Sequence, residues 1–306
     1  MKKKILITGA SGFIGAAVCK KLSKKYQVIG IVSPFSKTVR LKKVSNKMKI
    51  ISVDLAQGHG VYKIFKKYNP DYVIHLATHG VYSYQQNDED RIIIDNYLML
   101  ANLLKYSVKF DVKKFINTGS VFEYGTTKGK VKESDIDLSD ILNKYSGVKI
   151  ATTALVNSYA QNINVMTLRL FTTYGPGEDD TRFVKSTIDK AMRREPIRLV
   201  KGVVRDFVYI DDVADAYAAA IEIDYKSGEI INIAGGSRIT LTQFANLVKK
   251  ITNSNSTIIC DQTFKRFKES ACWADISRAK KVLGWSPKNS VLIGIKKMLY
   301  FLKDDK

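Results

Sequence analysis

Residues 4–15 read Lys-Ile-Leu-Ile-Thr-Gly-Ala-Ser-Gly-Phe-Ile-Gly, and no other stretch of the chain restricts the fold so strongly. A short apolar run enters a glycine-rich turn, and the turn opens a helix through Ala16, Ala17, Val18 and Leu22. Gly9 permits a tight turn, Gly12 lets a pyrophosphate approach the backbone, and Gly15 lets the helix pack closely on the strand. The helix start offers free N–H groups and the positive end of its dipole to phosphate. The pattern predicts a dinucleotide site built on Gly9, Ser11, Gly12, Phe13, Ile14 and Gly15. It does not specify a reaction.

Strand and helix signals alternate beyond this point. Strands are expected at 27–32, 49–53, 71–76, 114–118 and 164–170, with the clearest helices at 91–106 and 145–161. That order predicts an α/β fold, a Rossmann-type doubly wound parallel sheet whose ligands sit at the carboxyl ends of the strands. After Tyr174-Gly175-Pro176-Gly177 the pattern loosens. Helices are expected at 183–194, 212–223, 241–251 and 291–302, and strands at 207–210 and 230–233. We therefore expect a dinucleotide-binding domain at 1–170, completed by parts of 206–234. Residues 171–306 mainly form a smaller, interleaved substrate-binding lobe, with the substrate in the cleft between.

The formal net charge of +21 raises nucleic-acid binding as a question. The excess is lysine scattered in pairs, such as Lys20-Lys21, Lys66-Lys67 and Lys249-Lys250, with no basic block interleaved with aromatics. A solvated surface that attracts a polyanionic small substrate is the expected reading, not nucleic-acid binding. No apolar run reaches the ~18–20 residues that span a bilayer. Cys19, Cys260 and Cys272 are odd in number and far apart, which suits reduced thiols in a cytoplasmic protein. His59, His75 and His79 match no metal spacing, so no metal is expected.

Tyr145-Ser146-Gly147-Val148-Lys149 puts a phenol and an ammonium on one face of a helix. A neighbouring cation favours phenolate, so the Tyr145 pKa is expected to fall towards a range useful for acid–base work. Tyr62–Lys66 and Tyr124–Lys128 share the spacing, but only Tyr145 opens a long helix with a serine at a strand end upstream. That serine is Ser120. Ser120, Tyr145 and Lys149 beside a nicotinamide would make a site for reducing a carbonyl or oxidising an alcohol.

The chain resembles an extended short-chain dehydrogenase/reductase of the branch that modifies nucleotide-linked sugars. The resemblance rests on Thr8–Gly15, Asp54-Leu55, His75-Leu76-Ala77, Asn96, Ser120, Tyr145–Lys149, Tyr174–Gly177, Arg205–Val213 and Ala274–Trp285. It implies that Asp54 and Leu55 contact the adenine, and that Leu76, Ala77, Thr78 and Asn96 lie along the cofactor. It also implies that Lys149 holds the nicotinamide ribose as well as assisting Tyr145. Arg205 would bind a substrate diphosphate, with Phe122, Thr172, Arg182 and Arg266 as further substrate contacts. A homodimer through helices 91–106 and 145–161 is implied too.

Departures from that family narrow the reaction. Members that remove water across C5–C6 carry an acid two positions after the catalytic serine or threonine. Here Phe122 stands there, and Glu123 is displaced by one residue. At the end of the second strand, Ser33 replaces the aspartate that usually binds the NAD ribose, with Lys37 and Arg40 just beyond. This favours NADP, with NAD as the alternative. The leading expectation is NADPH-dependent reduction of an NDP-4-keto-6-deoxysugar, with Tyr145 as proton donor. An NAD-dependent nucleotide-sugar 4-epimerase is the alternative. A non-catalytic dinucleotide sensor or RNA-associated protein is a third.

Overall fold

In the computed structural model, which describes residues 2–42, 44–81, 85, 87–261 and 271–304, strands and helices alternate. The first part runs β1 (Lys4–Thr8), α1 (Phe13–Leu22), β2 (Gln27–Val32), β3 (Met48–Ser52), α2 (Gly58–Tyr68) and β4 (Tyr72–His75). It continues with α3 (Asn96–Lys109), β5 (Lys114–Ser120), β6 (Lys128–Val131), α4 (Lys144–Ser158) and β7 (Asn164–Leu170). Then come β8 (Thr172–Tyr174), α5 (Phe183–Arg193), β9 (Ile197–Val200), β10 (Val204–Arg205), β11 (Phe207–Tyr209), α6 (Ile210–Glu222) and β12 (Glu229–Ile233). The last stretch holds β13 (Ile239–Thr240), α7 (Leu241–Thr252), β14 (Ile258–Asp261), β15 (Ala271–Ala274), α8 (Ser277–Leu283) and α9 (Val291–Asp304).

Seven strands form one parallel sheet in the order β12-β7-β5-β4-β1-β2-β3. This is the expected doubly wound α/β sheet. Alternate side chains of each strand face opposite layers. Ile5 and Ile7 join Val18, Leu22, Val213 and Tyr217 from α1 and α6 on one face. Leu6 joins Val61, Phe65, Leu100, Leu104 and Val156 from α2, α3 and α4 on the other. The chain moves outward from β1 to β3 and returns as β4 on the opposite side of β1. That reversal opens a crevice at the carboxyl ends of β1 and β4, where such sheets bind ligands.

Four two-stranded sheets lie outside the main one: β8 with β11, β9 with β14, β10 with β13, and β6 with β15. The sequence pattern predicts only β11 among their strands. Each of the others has two to four residues and pairs with a distant segment, so none shows a readable alternation. A separate core of Tyr174, Ile188, Phe207, Phe244 and Ile295 holds this part together, with the Phe207 and Phe244 rings 4.6 Å apart. Asp212, expected within a family motif, is a buried clamp on the late chain. It accepts from the Lys288 and Asn289 backbone N–H groups at 3.1 and 3.0 Å. Among the described residues no helix is long and apolar enough to cross a membrane.

Candidate active site

The crevice is walled by backbone. Gly9 has φ +65°, and a Cβ there would lie 2.7 Å from the Ala77 nitrogen. A Cβ on Gly15 would lie 2.1 Å from the Gly9 carbonyl oxygen, so helix and turn can meet only if residue 15 has no side chain. Gly12 caps α1 without a side-chain hydrogen bond, and the first turn carries no acid. The helix start through Phe13, Ile14 and Gly15, with Ser11 buried beside it, is therefore an open donor set that fits a pyrophosphate. Thr8 braces the opposite wall. Its Oγ1 accepts from the Leu76 and Ala77 N–H groups, both at 3.1 Å, so its own proton goes to His75 Nδ1 at 2.8 Å. Burial and the Lys149 charge push His75 down to about 3, which keeps the imidazole neutral.

Further along the crevice edge, Asp54 Oδ1 accepts from the Ala56 N–H at 3.0 Å, and the Leu55 carbonyl accepts from Asn102 Nδ2 at 3.0 Å. Past β2, Ser33 starts a turn in which its carbonyl accepts from the Ser36 N–H at 3.0 Å, and Lys37 is exposed. Arg40 Nε donates to the Gly177 carbonyl at 2.8 Å. The cation pair that favoured a 2′-phosphate is thus divided, since Arg40 fastens the 174–177 turn.

The corner expected to be catalytic stands where β5 ends and α4 begins. Asn143 caps α4 by accepting from the Ser146 N–H at 2.9 Å, and Ser146 Oγ donates to the Phe122 carbonyl. These two bonds set the helix start against Ser120, the last residue of β5. The Tyr145 phenol is buried and hydrogen-bonded with the Thr78 and Ser120 side chains. Lys149 Nζ donates to the Thr118 carbonyl at 3.0 Å and lies 5.7 Å from the centre of the Tyr145 ring.

The expectation of a lowered tyrosine pKa is corrected here. Burial pushes the Tyr145 phenol up, beyond what the Thr78 and Ser120 hydrogen bonds and the Arg182 charge offset. Burial also brings Lys149 down to about 8, against an opposing pull from Glu123. Asn96 anchors the loop that carries Thr78. Its Oδ1 accepts from Thr78 Oγ1 at 3.2 Å and the His79 N–H at 2.8 Å, and its Nδ2 donates to the His79 and Ile92 carbonyls at 2.9 and 2.8 Å. It therefore braces the crevice wall at Thr78 and His79 from behind, with both ends of its amide committed to protein groups.

Phe122 lies edge-on to Tyr145 with ring centres 6.0 Å apart. Glu123 is fully buried, and its carboxylate takes the Ser120 N–H at 2.7 Å, Thr153 Oγ1 at 3.1 Å and Arg169 Nη2 at 3.0 Å. Neither residue offers an acid to a substrate beside Tyr145. Sequence reasoning missed this buried role of Glu123, although a Glu three residues after a Ser is the spacing of a capping box.

Arg182 begins α5 and pairs with buried Glu178 at 3.4 Å. Burial pushes the Glu178 carboxyl up to about 7 despite that partner. Thr172 lies on β8, its N–H donating to the Asp206 carbonyl at 3.0 Å, and Arg205 lies on β10 and donates to the Val204 carbonyl at 2.9 Å. Arg266 lies outside the described residues. Among those residues no group of three or more His, Cys, Asp or Glu side chains could hold a metal.

Residues 5–234 match the NAD dependent epimerase/dehydratase family. The chain belongs to that family. The resemblance to the nucleotide-sugar branch of extended short-chain dehydrogenase/reductases therefore holds. Among similar members of the epimerase/dehydratase family is an uncharacterized UDP-glucose epimerase, YtcB, of Bacillus subtilis (strain 168). It is 29% identical, covering 98% of this chain and 98% of the relative. A UDP-glucuronate 4-epimerase of Thermodesulfobacterium geofontis (strain OPF15) is 28% identical, covering 98% of this chain and 96% of the relative. The crystal structure of a UDP-glucuronic acid 4-epimerase from Bacillus cereus, in complex with UDP-glucuronic acid and NAD, is similar with a TM-score of 0.87. That similarity carries 28% identity over 99% of this chain and 100% of the other. This neighbour holds NAD, and the NADP preference expected from Ser33 and Lys37 finds no support in it.

Proposed function

We propose that the protein is an NAD-dependent 4-epimerase of a UDP-linked hexose or hexuronic acid. The observation that carries this reading is the commitment of Glu123 to Ser120, Thr153 and Arg169, with Phe122 at the position expected for a dehydratase acid. The corner keeps one proton-transfer group, Tyr145, with Ser120 and Lys149 to support it. Such a set can take a proton from a C4 hydroxyl and return it, but it has no second acid and base for removing water.

Ser120 donates a hydrogen bond to the sugar O4, and Tyr145 holds or releases the O4 proton. Lys149, at about 8, keeps its charge at neutral pH and favours the phenolate. Gly9, Gly12, Phe13, Ile14 and Gly15 would hold the pyrophosphate, with Asp54 and Leu55 at the adenosine end. A nicotinamide bound beside Tyr145 would supply a reversible hydride acceptor for C4. Arg40 held by Gly177, together with the NAD-bound neighbour, supports NAD over NADP. The substrate is placed between the sheet ends of residues 1–170 and the lobe formed mainly by 171–306. Exposed Ile93, Ile94, Tyr97 and Leu98 support pairing with a second copy of the chain, and the odd number and wide spacing of Cys19, Cys260 and Cys272 support a cytoplasmic setting.

The test starts with denaturing the purified protein and identifying any released nicotinamide, then offering UDP-glucose and UDP-glucuronate. Released NAD and C4 epimers formed without net oxidation or reduction are expected. Stoichiometric NADPH consumption with an NDP-4-keto-6-deoxysugar, and no interconversion of C4 epimers, would replace this reading with the reductase.

A further inference from the structure

A fully buried ion pair lies directly behind the catalytic corner. Glu123 and Arg169 both have side-chain exposures of 0%, and Glu123 Oε2 accepts from Arg169 Nε at 3.2 Å and Nη2 at 3.0 Å. The same oxygen accepts from Thr153 Oγ1 at 3.1 Å, while Oε1 accepts from the Ser120 backbone N–H at 2.7 Å. One carboxylate therefore joins three elements: the end of β5 that carries Ser120, the end of β7 that carries Arg169, and α4. Thr153 lies one helical turn beyond Lys149, which itself lies one turn beyond Tyr145.

The junction is closed on every side. Arg169 Nη1 donates to Tyr124 Oη at 2.8 Å and to the Glu133 carbonyl at 3.1 Å, and its guanidinium lies 4.7 Å from the centre of the Tyr124 ring. Gly119 pairs with Arg169 in the sheet, and a Cβ there would fall 2.6 Å from Glu123 Oε1. Val121–Tyr124 form a short 3₁₀ turn that Ser120 and Glu123 close as a capping box. Here the acid is sunk beneath the turn and given a counter-charge. A buried pair is weak evidence for stability, because desolvation consumes much of its Coulomb energy. Its geometry points to another use.

We propose that Glu123, held by Arg169 and Thr153, is the positioning residue of the active site, fixing Ser120 against α4 and imposing a negative potential on Tyr145 and Lys149. The potential acts on both proton-carrying groups of the corner, supporting the Lys149 ammonium and opposing the Tyr145 phenolate. The Glu123 charge favours the protonated phenol of Tyr145 and the protonated ammonium of Lys149. Lys149 thus keeps its charge in a buried setting, while the Tyr145 phenol is held towards its protonated form. The proposal rests on the Ser120, Tyr145 and Lys149 reading of the site, and one arm of its test is independent of which sugar is turned over.

The experiment compares wild type with Glu123→Gln, which keeps an acceptor for the Ser120 N–H and removes the charge. Because Glu123→Gln leaves Arg169 buried without a counter-ion, Glu123→Gln/Arg169→Met is made alongside it to preserve folding. With retained nicotinamide dinucleotide, the protein is labelled with ¹³C at the tyrosine Cζ. The resonance missing from Tyr145→Phe identifies Tyr145. Its titration midpoint is expected to fall in Glu123→Gln, and to fall less in Glu123→Gln/Arg169→Met, where the guanidinium charge is lost as well. The rising limb of kcat against pH should move the same way, with KM for the nucleotide sugar within about twofold. Thr153→Val should lower kcat without moving the limb, and Thr153→Ser should restore it. An unmoved Tyr145 midpoint, or kcat losses that only track the folded fraction, would reduce the pair to a structural one. Absence of epimerisation by wild type would sink the functional reading yet leave the Tyr145 titration to judge this proposal.

Discussion

The cradle at the end of β1 and the corner at the end of β5 do neighbouring jobs by opposite means. The cradle works through what is missing: no side chain at Gly15, no cap and no acid at the start of α1. Its ligand groups are backbone N–H donors whose charge does not change with pH. The corner works through side chains stacked three deep, with Tyr145 on Ser120 and Thr78, and Ser120 on Glu123 and Arg169. Its properties depend on burial and on charges that titrate. Damage to the first region should therefore appear as lost binding, and damage to the second as lost chemistry or altered pH dependence.

The sharpest separation is expected from Tyr145→Phe. It should lower kcat by about 10²–10⁴-fold while nucleotide retention, measured on the denatured eluate, stays at the wild-type level. Comparable losses of both would mean that the two regions are one unit. Gly15→Ala should do the reverse. The added Cβ, 2.1 Å from the Gly9 carbonyl, should abolish nucleotide retention and lower stability by about 3 kcal/mol, measured by urea unfolding. Protein that still holds nucleotide should turn over at the wild-type rate.

A smaller effect comes from Glu178, beside Arg182. Its carboxyl is pushed from 4.5 up to about 7, so the native state keeps a proton that the unfolded chain releases. Between those two pH values the folded protein binds more protons, and stability falls as pH rises. Glu178→Gln should remove that part of the slope and gain about 1–2 kcal/mol relative to wild type at pH 8, read by denaturant unfolding across pH 4–8. Asp206, also pushed up to about 7, gives a slope of the same sign in both proteins, so the difference between them is the measured quantity. An identical slope in the variant would show that Glu178 ionises normally. The smallest effect is expected from Lys37→Ala, which should change NAD affinity less than about twofold by calorimetry. A large loss would return Lys37 to the cofactor site.

The cradle was the more legible region. Glycine spacing, an apolar strand and a helix pattern are local signals, and they place β1, its turn and α1 directly. The bounds of β2 and β7 were read to the residue: β2 is a continuous apolar run after Gln27, and β7 keeps Val165, Met166, Leu168 and Leu170 around the polar Thr167 and Arg169. Ser120 and Tyr145 could be brought together on paper, since one ends a strand and the other opens the helix that follows. What supports them could not. Arg169 is 46 residues from Glu123, and Arg40 reaches across 137 residues to the Gly177 carbonyl. A cation's partner at that distance depends on packing. The direction of the Tyr145 shift was missed for the same reason: spacing reveals the nearby lysine, whereas burial decides the sign.

The outer strand β12 carries a consequence for how the molecule comes into being. Its Asn232 accepts the Tyr124 hydroxyl at 2.7 Å, and Tyr124 in turn accepts from Arg169. Synthesis delivers Ser120, Tyr145 and Arg169 to the growing polypeptide more than sixty residues before Asn232. Until that asparagine arrives, the Tyr124 hydroxyl lacks its buried acceptor and β7 has an unpaired flank. The hydrogen-bond chain behind the corner is thus closed only by a segment made well after the residues it supports.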